Sequence, residues 1–236
     1  MKIKNDNLRF ESKFKISILD LYILKDWLHK NIFLTKHYQD RRVNTLYFDT
    51  QDYLSAYENM SGLSERFKLR ARWYCKDFSE YDEKLLDSNT LFRVELKKKR
   101  NLICNKILLD KFFLEPDSNY NERLNNLKKR VFLNCSNSKF LKNFNFNPVI
   151  FVSYSREYYQ LFDDKDVRVT IDHDIRYSSV YNNVFHLASN DFFLVEIKFS
   201  LEKFTHINEL FSTFPFRKTR MSKYLISLSK LKSLYY

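Results

Sequence analysis

Glycine is almost absent from this chain, since only Gly62 occurs among 236 residues. The Walker phosphate loop, the dinucleotide-binding fingerprint and the kinase glycine-rich loop each need at least two glycines, because backbone amides must approach phosphate closely. None of these loops can form here. If the protein binds nucleotide phosphates, side chains must do the work of such a loop.

Cysteines and long apolar runs are also scarce. Cys75, Cys104 and Cys135 are odd in number and lack CxxC or Cys/His spacing, so neither a disulfide framework nor a zinc site is predicted. No run of 18 apolar residues occurs, and the first residues lack the apolar segment of a secretory signal. With no linker rich in Pro, Gly or Ser, we expect one soluble, cytoplasmic domain over residues 1–236 without a membrane span.

Positive charge is abundant, because 41 Lys and Arg residues against 29 Asp and Glu residues give a formal net charge of +12. This predicts an anionic partner, which the total charge alone does not identify. The placement of the charge is more specific. On a β-strand Arg66, Lys68, Arg70 and Arg72 fall on one face, and Phe67 and its alternate neighbours fall on the other. Four neighbouring cations repel one another, so the pattern predicts a dense anion such as polyphosphate rather than nucleic acid.

The same alternation recurs in four other segments. A single strand of this kind is typical of a solvated surface, but five predict an α+β fold in which a closed antiparallel β-barrel turns its charged faces inward, with helices packed outside. Together with Arg156, the inward set then holds 13 Lys or Arg and 4 Asp or Glu. The added segments contribute Arg9, Glu11, Lys13 and Lys15; Arg93, Glu95, Lys97 and Lys99; Arg168, Thr170 and Asp172; and Glu196 and Lys198.

Periodicity also predicts the order of the elements. We expect the first helix to bury Ile18, Leu21, Tyr22, Leu24, Trp27 and Leu28, and Asp49 with Thr50 to cap the second. The predicted strands are 8–16, 43–49, 64–73, 92–99, 149–161, 166–177 and 192–199. The predicted helices are 18–31, a short one through 53–57, one within 120–146 that ends in a polar loop, 203–213 and 219–235.

Eight short motifs, in order, resemble those of the vacuolar transporter chaperone (VTC) domain. This domain is part of the CYTH-like triphosphate tunnel metalloenzyme superfamily, and the resemblance covers about residues 7 to 230. The motifs are Arg9-Phe-Glu-Ser-Lys13, Asn44-Thr-Leu-Tyr-Phe-Asp-Thr50, Arg66-Phe-Lys-Leu-Arg-Ala-Arg72, Arg93-Val-Glu-Leu-Lys97, Tyr154-Ser-Arg156, Val167-Arg-Val-Thr-Ile-Asp172, Val195-Glu-Ile-Lys198 and Arg220-Met-Ser-Lys-Tyr224.

The resemblance implies a tunnel that binds a triphosphate, and an enzyme that transfers the terminal phosphate of ATP to a growing polyphosphate chain. ATP and inorganic polyphosphate or pyrophosphate are the expected partners; no oligomeric state is implied. Arg220 and Lys223 are expected to share one helix face and close over a tunnel mouth. Carried over by position, the catalytic set is Arg70, Arg72, Arg156, Arg168 and Lys198, and the substrate-binding set is Arg9, Lys13, Arg66, Lys68, Lys97, Arg220 and Lys223.

The resemblance also implies a divalent cation held by glutamate. Hard cations prefer carboxylate and phosphate oxygens, so Glu196, with Glu11 or Glu95, suits Mn²⁺ or Mg²⁺. The alternative for Glu11 and Glu95 is a structural ion pair with neighbouring lysines. Phosphoryl transfer needs placed charge more than a protein nucleophile, so this set of residues is sufficient for the chemistry.

Two other functions fit the same sequence. One is a tunnel-type triphosphatase that hydrolyses nucleoside or inorganic triphosphate, and the other is a non-catalytic module that binds polyphosphate. In the hydrolase branch the first strand commonly reads Glu-x-Glu-x-Lys, whereas here Arg9 replaces the first glutamate. The exchange removes a carboxylate and adds a cation, which favours a long polyanion over a metal-activated water.

Overall fold

In a computed structural model, the described residues are 8–30, 34–75, 86, 90–114, 119–161, 166–180, 186–189, 191–203, 207 and 211–233. They form an α+β fold with nine strands and four α-helices. The strands are β1 Arg9–Ser17, β2 Leu34–Asp49, β3 Glu65–Cys75, β4 Phe92–Arg100, β5 Ile103–Phe112, β6 Asn147–Leu161, β7 Arg168–Ser179, β8 His186–Ser189 and β9 Phe192–Ser200. The helices are α1 Leu21–Lys30, α2 Leu54–Met60, α3 Tyr120–Ser136 and α4 Lys223–Ser233.

All strand pairs are antiparallel, and the strand order in the sheet is β6-β2-β3-β4-β5-β1-β9-β7-β8. β6 also pairs with β7, so the pairings from β6 through β1 and β9 lead back to β6. β8 pairs with β7 outside this ring of pairings. The contact between β1 and β5 is short, since it joins only Arg9 to Cys104 and Phe10 to Ile103.

The apolar faces of the strands pack under helices, as the alternation predicts. Leu69 and Trp73 of β3 are fully buried in one cluster with Leu127 of α3. Phe14 of β1 is buried in a second cluster with Leu24 of α1. Burying one such side chain contributes about 1.5–3 kcal/mol, so these two layers fix which face of each strand turns away from the helices.

The first helix is shorter than predicted, and part of its expected buried stripe is exposed. Residues 18–20 form a 3₁₀ turn before α1, where Ile18 is 50% exposed because the tighter turn breaks the 3.6-residue period. Tyr22 is 70% exposed, since it lies about 200° around the helix from Leu24. Leu24, Trp27 and Leu28 are buried as predicted.

The capping prediction for the second helix is confirmed. The carboxylate of Asp49 accepts hydrogen bonds from the N–H groups of Ser55 (2.8 Å) and Ala56 (3.0 Å), and the hydroxyl of Thr50 accepts one from Leu54 N–H (3.0 Å). Gly62 follows α2 with φ of +69°, a conformation that only glycine adopts without strain, and the chain then enters β3.

The strand predictions were incomplete for β2, β5 and β8. β5 was not predicted, although Arg100 pairs with Ile103 across a two-residue turn in which Asn101 has φ of +53°. Asparagine tolerates this left-handed conformation, so it was the available signal of a hairpin. β2 begins at Leu34 rather than residue 43, and β8 was also missed.

The helix predictions at the C-terminal end were partly wrong. The predicted helix 219–235 begins only at Lys223. Of the predicted helix 203–213, residues 204–206 and 208–210 lie outside the described part of the chain, and 211–213 form a 3₁₀ turn. Within the described ranges, no helix combines the length and apolar character needed to cross a bilayer.

Not every helix packs on the outside, which corrects the predicted arrangement. Tyr224 and Leu228 of α4 are buried with Val43, Tyr47 and Ile150, which lie on the strand face opposite to the one covered by α1 and α3. The hydroxyl of Tyr224 donates to Asp49 (2.7 Å), so α4 is tied to the cap of α2. The apolar side chains of α4 therefore fill part of the interior, and charged side chains line the remaining part.

Candidate active site

The predicted cations lie on one face of the strands and meet across the interior. Arg70 pairs directly with Glu95 and Lys68 with Lys97, so these side chains project to the same side. Lys97 Nζ also lies 2.5 Å from Glu11 Oε2, although β4 and β1 are not neighbours in the sheet. A contact between strands that do not pair requires both side chains to point into the space between them.

Glu196 is the carboxylate with the most cations around it. Its oxygens lie 2.7 Å from Lys198 Nζ, 3.1 Å from Lys13 Nζ, 3.5 Å from Lys223 Nζ and 3.9 Å from an Arg156 nitrogen. Burial alone would raise the pKa of the Glu196 carboxyl, but Lys13, Lys198 and Lys223 lower it well below its usual range. These cations favour the ionised carboxylate, and Glu196 lies where three strands, β1, β6 and β9, meet the helix α4.

A second carboxylate, Asp172, binds two of the same cations. Arg156 donates to both its oxygens at 2.5 and 2.7 Å, and Lys223 Nζ lies 2.5 Å away. Lys223 and Arg156 also lie over the ring of Tyr154, at 4.6 and 5.2 Å from its centroid, and Arg72 donates to the Tyr154 hydroxyl at 3.1 Å. Asp172 was predicted to face inward, but without a role. Tyr154 was not predicted as a site residue, although its position two residues before Arg156 on the same strand face was the available signal.

Glu95 is fully engaged by cations. Arg70 donates twice to Oε2, at 2.7 and 3.0 Å, and Lys106 donates to Oε1 at 3.0 Å. Burial acts to raise the pKa of the Glu95 carboxyl, but the charges of Arg70 and Arg72 lower it strongly. Since both oxygens carry charged hydrogen bonds, these contacts favour the ion-pair alternative for Glu95.

Glu11 has one oxygen available. Its Oε2 accepts from Lys97 (2.5 Å) and from the Cys104 thiol (3.1 Å). Its Oε1 is buried without a hydrogen-bond partner and lies 3.4 Å from Lys13 Nζ, outside ideal hydrogen-bonding geometry. Lys13 thus lies between the carboxylates of Glu11 and Glu196.

Several interior cations have lowered pKa values, chiefly because burial disfavours their charged form. Burial, followed by the charges of Lys13 and Lys97, lowers the pKa of Lys68 well below its usual value. Burial also lowers the pKa values of Lys99, Lys198 and Arg9. By contrast, Glu196 and Glu11 raise the pKa of Lys13 in spite of its burial. The cations with lowered pKa values are those that a bound anion would stabilise most.

A cavity of about 610 Å³ opens between β1 and the β3–β4 hairpin, beside the short β1–β5 contact. Glu11 is the one carboxylate in its described lining. Thr219 N–H donates to the carbonyl of Lys13 at 2.8 Å, which places residues 218–221 across the opening. Apart from Lys13, the cations that line the cavity are called here the lysine mouth: Arg66, Lys68, Lys97, Lys99, Lys218 and Arg220.

A different cluster lies where β2 and β4 begin and β3 and β6 end. The guanidinium of Arg41 lies over the rings of Tyr74 (4.4 Å), Tyr158 (4.8 Å) and Tyr38 (5.4 Å), and Arg93 lies over Tyr74 at 5.4 Å. Arg41 Nε donates to the Tyr158 hydroxyl at 3.0 Å. We call Tyr38, Arg41, Tyr74, Arg93 and Tyr158 the tyrosine–arginine mouth. None of these five residues was predicted as a site residue.

The remaining predicted residues lie at strand ends. Arg168 is exposed and pairs with the inward Lys198, and its charge helps to lower the pKa of the half-buried Arg9. The prediction that Arg220 and Lys223 share a helix face is wrong, because α4 begins at Lys223. Arg220 instead lines the cavity near Gly62, while Lys223 is buried against Asp172 and Glu196.

The donor set fits a hard divalent cation only in part. Among the described residues no group of three or more His, Cys, Asp or Glu side chains is placed to hold a metal ion. Glu196 and Glu11 supply carboxylates on either side of Lys13, and Glu11 Oε1 is a buried acceptor without a partner. Because Mg²⁺ and Mn²⁺ prefer oxygen, these two residues would hold the ion together with phosphate or water oxygens.

Comparisons with known proteins agree with this fold. HpAC1 from Hippeastrum, a proposed adenylyl cyclase with a dominant triphosphatase activity, superposes with a TM-score of 0.51 at 13% identity, covering 95% of this chain and 96% of that one. A chain of the Schizosaccharomyces pombe Mediator head module superposes with a TM-score of 0.51 at 12% identity, covering 89% and 98%. These likenesses show a shared fold. No curated protein gave a significant match. The VTC domain family matches residues 8–232, so the chain belongs to the VTC domain family.

Proposed function

We propose that this protein is a polyphosphate polymerase that transfers the terminal phosphate of ATP to a growing inorganic polyphosphate chain inside a tunnel. The observation that carries the proposal is the continuous series of interior cations from the tyrosine–arginine mouth, past Glu196, to the lysine mouth. The ring of strand pairings around these cations supports a closed barrel as the wall of the tunnel.

The extent of the cationic surface favours a long ligand. Arg66 and Arg72 are six residues apart on β3, which corresponds to roughly 20 Å of extended strand. Cations whose pKa values are lowered by burial occur at Lys68 and Lys99 in the lysine mouth and at Lys198 beside Glu196, so they extend from this mouth to the centre of the site. A triphosphate would need only part of this surface, whereas a phosphate chain would use its whole length.

The centre of the site suits phosphoryl transfer. Arg72, Arg156 and Lys223 converge on the ring of Tyr154, and there they would bind the terminal phosphate and neutralise the charge that develops on its oxygens. An oxygen of the chain-end phosphate attacks the terminal phosphorus of ATP, the bond to the bridging oxygen breaks, and ADP leaves with that electron pair. The attacking oxygen is already ionised, so no general base is required. Alignment of the two phosphates supplies much of the rate.

A divalent cation belongs to this proposal on chemical grounds. Mn²⁺ or Mg²⁺ would be held by Glu196 and Glu11 and would neutralise part of the charge on the phosphate oxygens. The protein side chains bind and orient the phosphates on either side of it.

The competing functions predict different products from ATP. With ATP labelled in its terminal phosphate, Mn²⁺ and a pyrophosphate primer, we expect the label to appear in a ladder of polyphosphates with little orthophosphate. Orthophosphate from the earliest time point and no ladder would show a triphosphatase instead. Binding of ATP and polyphosphate without either product would show a non-catalytic module. The variant Lys129→Ala, which changes an exposed lysine on α3, is the matched control for general basicity.

A further inference from the structure

We infer that the tyrosine–arginine mouth binds the base of the nucleotide, while the lysine mouth binds only the phosphate chain. This inference rests on the proposed function, because it assigns the two ends of the same site to ATP and to the polymer. It concerns the contacts of the base, which the family assignment leaves open.

This mouth is accessible to a flat ligand at Tyr38, while its other four residues are half-buried. Tyr38 is 53% exposed and stands edge-on to Tyr158, at 5.6 Å between centroids and 82° between planes. Arg41 is held by three rings and one hydroxyl, and no carboxylate of the described residues lies within ion-pair distance of it. Arg93 Nε is buried without a hydrogen-bond partner. The mouth therefore offers aromatic faces together with positive charge that is not neutralised.

A nucleotide is the anion that matches this combination. A nucleobase has a π-face that stacks on aromatic rings and on the guanidinium plane of arginine, and such stacking is worth about 1–3 kcal/mol per base. An inorganic phosphate chain has no such face. Three phenylalanines border the cavity at the lysine mouth. Phe67 and Phe199 are each only 5% exposed, and Phe10 is half-buried with its ring stacked on Phe199 at 5.5 Å between centroids, so these rings offer little free face to a ligand.

The strand register connects this mouth to the reaction centre. Arg41 pairs directly with Arg156, and Arg93 pairs directly with Arg72. Since Arg72 and Arg156 meet at Tyr154, a nucleotide with its base at the mouth would direct its phosphates to these arginines. Beyond them, Lys13 leads to Lys97 of the lysine mouth, because both lysines contact the carboxylate of Glu11. The geometry thus assigns a direction, in which ATP enters at one mouth and the polymer leaves at the other.

The test compares two triphosphate ligands, of which one carries a nucleoside and the other does not. Calorimetric titration with Mn²⁺ present would measure the affinities for a non-hydrolysable ATP analogue and for inorganic tripolyphosphate, with the integrity of the latter checked by phosphorus NMR. For Tyr38→Ala we expect about a tenfold loss of affinity for the ATP analogue and no change for tripolyphosphate. Tyr38→Phe should retain the wild-type ratio, because the ring is kept.

A second variant separates stacking from charge. Arg41→Lys keeps the positive charge but removes the plane that stacks on the tyrosines, so it should also weaken the ATP analogue selectively. It provides the same measurement if Tyr38→Ala does not fold. Phe132→Ala, which changes a 66% exposed aromatic residue on α3, is the control and should alter neither affinity.

The outcomes distinguish this inference from the proposed function. Equal losses for both ligands would show that the mouth binds phosphate rather than the base, and no loss for either would place the base elsewhere; both results overturn the inference. If the wild-type protein makes no polymer but Tyr38→Ala still weakens only the ATP analogue, the polymerase proposal fails and the inference stands.

Discussion

The two mouths of the site differ in the kind of cation they use. The lysine mouth has four lysines and two arginines around an open cavity, where Lys68 donates to the hydroxyl of Ser222 (2.7 Å) and lies 5.9 Å from the centroid of the Tyr224 ring. In the tyrosine–arginine mouth both cations are arginines that lie on tyrosine rings. A lysine ammonium is a compact charge on a flexible stem, whereas an arginine guanidinium is a rigid plane. Lysines therefore suit a ligand that slides through many equivalent positions, and arginines suit a ligand that is held in one orientation.

The largest effect on the rate is expected at the centre of the site, between the two mouths. Arg156→Ala should lower the rate of polymer formation by about 10²–10³, because it removes a charged donor at the transferred phosphate. Arg156→Lys should recover only part of the rate, since the bidentate contact with Asp172 is lost. Initial rates from the labelled ladder measure both, and circular dichroism checks the fold. A loss of similar size in Lys129→Ala would show that general basicity, not this centre, explains the activity.

Glu196→Gln should separate binding from turnover, with about a 10–10²-fold loss of rate at limiting Mn²⁺. Glutamine keeps the shape but removes the charge that balances Lys13, Lys198, Lys223 and Arg156, so the interior becomes more positive. We therefore expect polyphosphate to bind more tightly while the reaction slows. Glu65→Gln, at a carboxylate that is 70% exposed, is the control. Wild-type turnover of Glu196→Gln at limiting Mn²⁺ would contradict the metal assignment.

The contrast between the mouths also shows what the sequence could predict. The alternation in β3, β4 and β9 is regular, so the two-residue period placed Arg72, Glu95 and Glu196 on one face correctly. β2 is different, because its pairing with β6 shifts register between Lys36 and Tyr38 and again between Tyr38 and Arg41. Such irregularities insert residues and break the period at Tyr38 and Arg41, so no alternating pattern predicts these two residues. Arg93 and Tyr74 of the same mouth do lie in the regular alternation of β4 and β3.

The positions of residues 218–223, at and beside the lysine mouth, were not predicted correctly for a different physical reason. Lys218 reaches the cavity because an isolated bridge with Phe14 holds its segment against β1, in a stretch that belongs to no strand or helix. Arg220 and Lys223 were assigned to one helix face from their spacing, but the helix begins only after Arg220. Helix starts are set by capping and tertiary contacts, here those of Lys223 with buried carboxylates, which spacing alone does not contain.

A change confined to the lysine mouth should affect long chains more than nucleotides. Lys218→Ala should weaken binding of long-chain polyphosphate by about fivefold, as expected for loss of one partly screened ion contact, and should leave the affinity for the ATP analogue within about twofold. Titrations at two salt concentrations would also show a smaller salt dependence for the variant. If the ATP analogue loses as much affinity as the polymer, the lysine mouth contacts the nucleotide and the assigned direction is reversed.

The smallest effect is one of pH on the stability of the ligand-free protein. Because the pKa of Lys68 in the folded chain lies well below 10.5, the unfolded chain binds more protons than the folded chain between those two values. The contribution of Lys68 to stability must then rise with pH across that window, whereas the raised thiol pKa values of Cys104 and Cys135 act in the opposite direction above about pH 8. We therefore expect the melting temperature to increase from about pH 7 to about pH 8, a range below the ordinary pKa values of cysteine, tyrosine and free lysine. Lys68→Met should reduce this increase and raise the melting temperature at pH 7.5 by about 2–4 °C, the shift that roughly 1 kcal/mol produces in a domain of this size. Lys99 and Lys198 share the lowered pKa, so part of the increase should remain.

Saturating polyphosphate should abolish the pH dependence, since a bound anion stabilises the protonated amines. A melting temperature that stays constant or falls over this range in the ligand-free wild type, or a Lys68→Met variant that behaves like Lys129→Met, would show that the lysine mouth does not hold unbalanced charge.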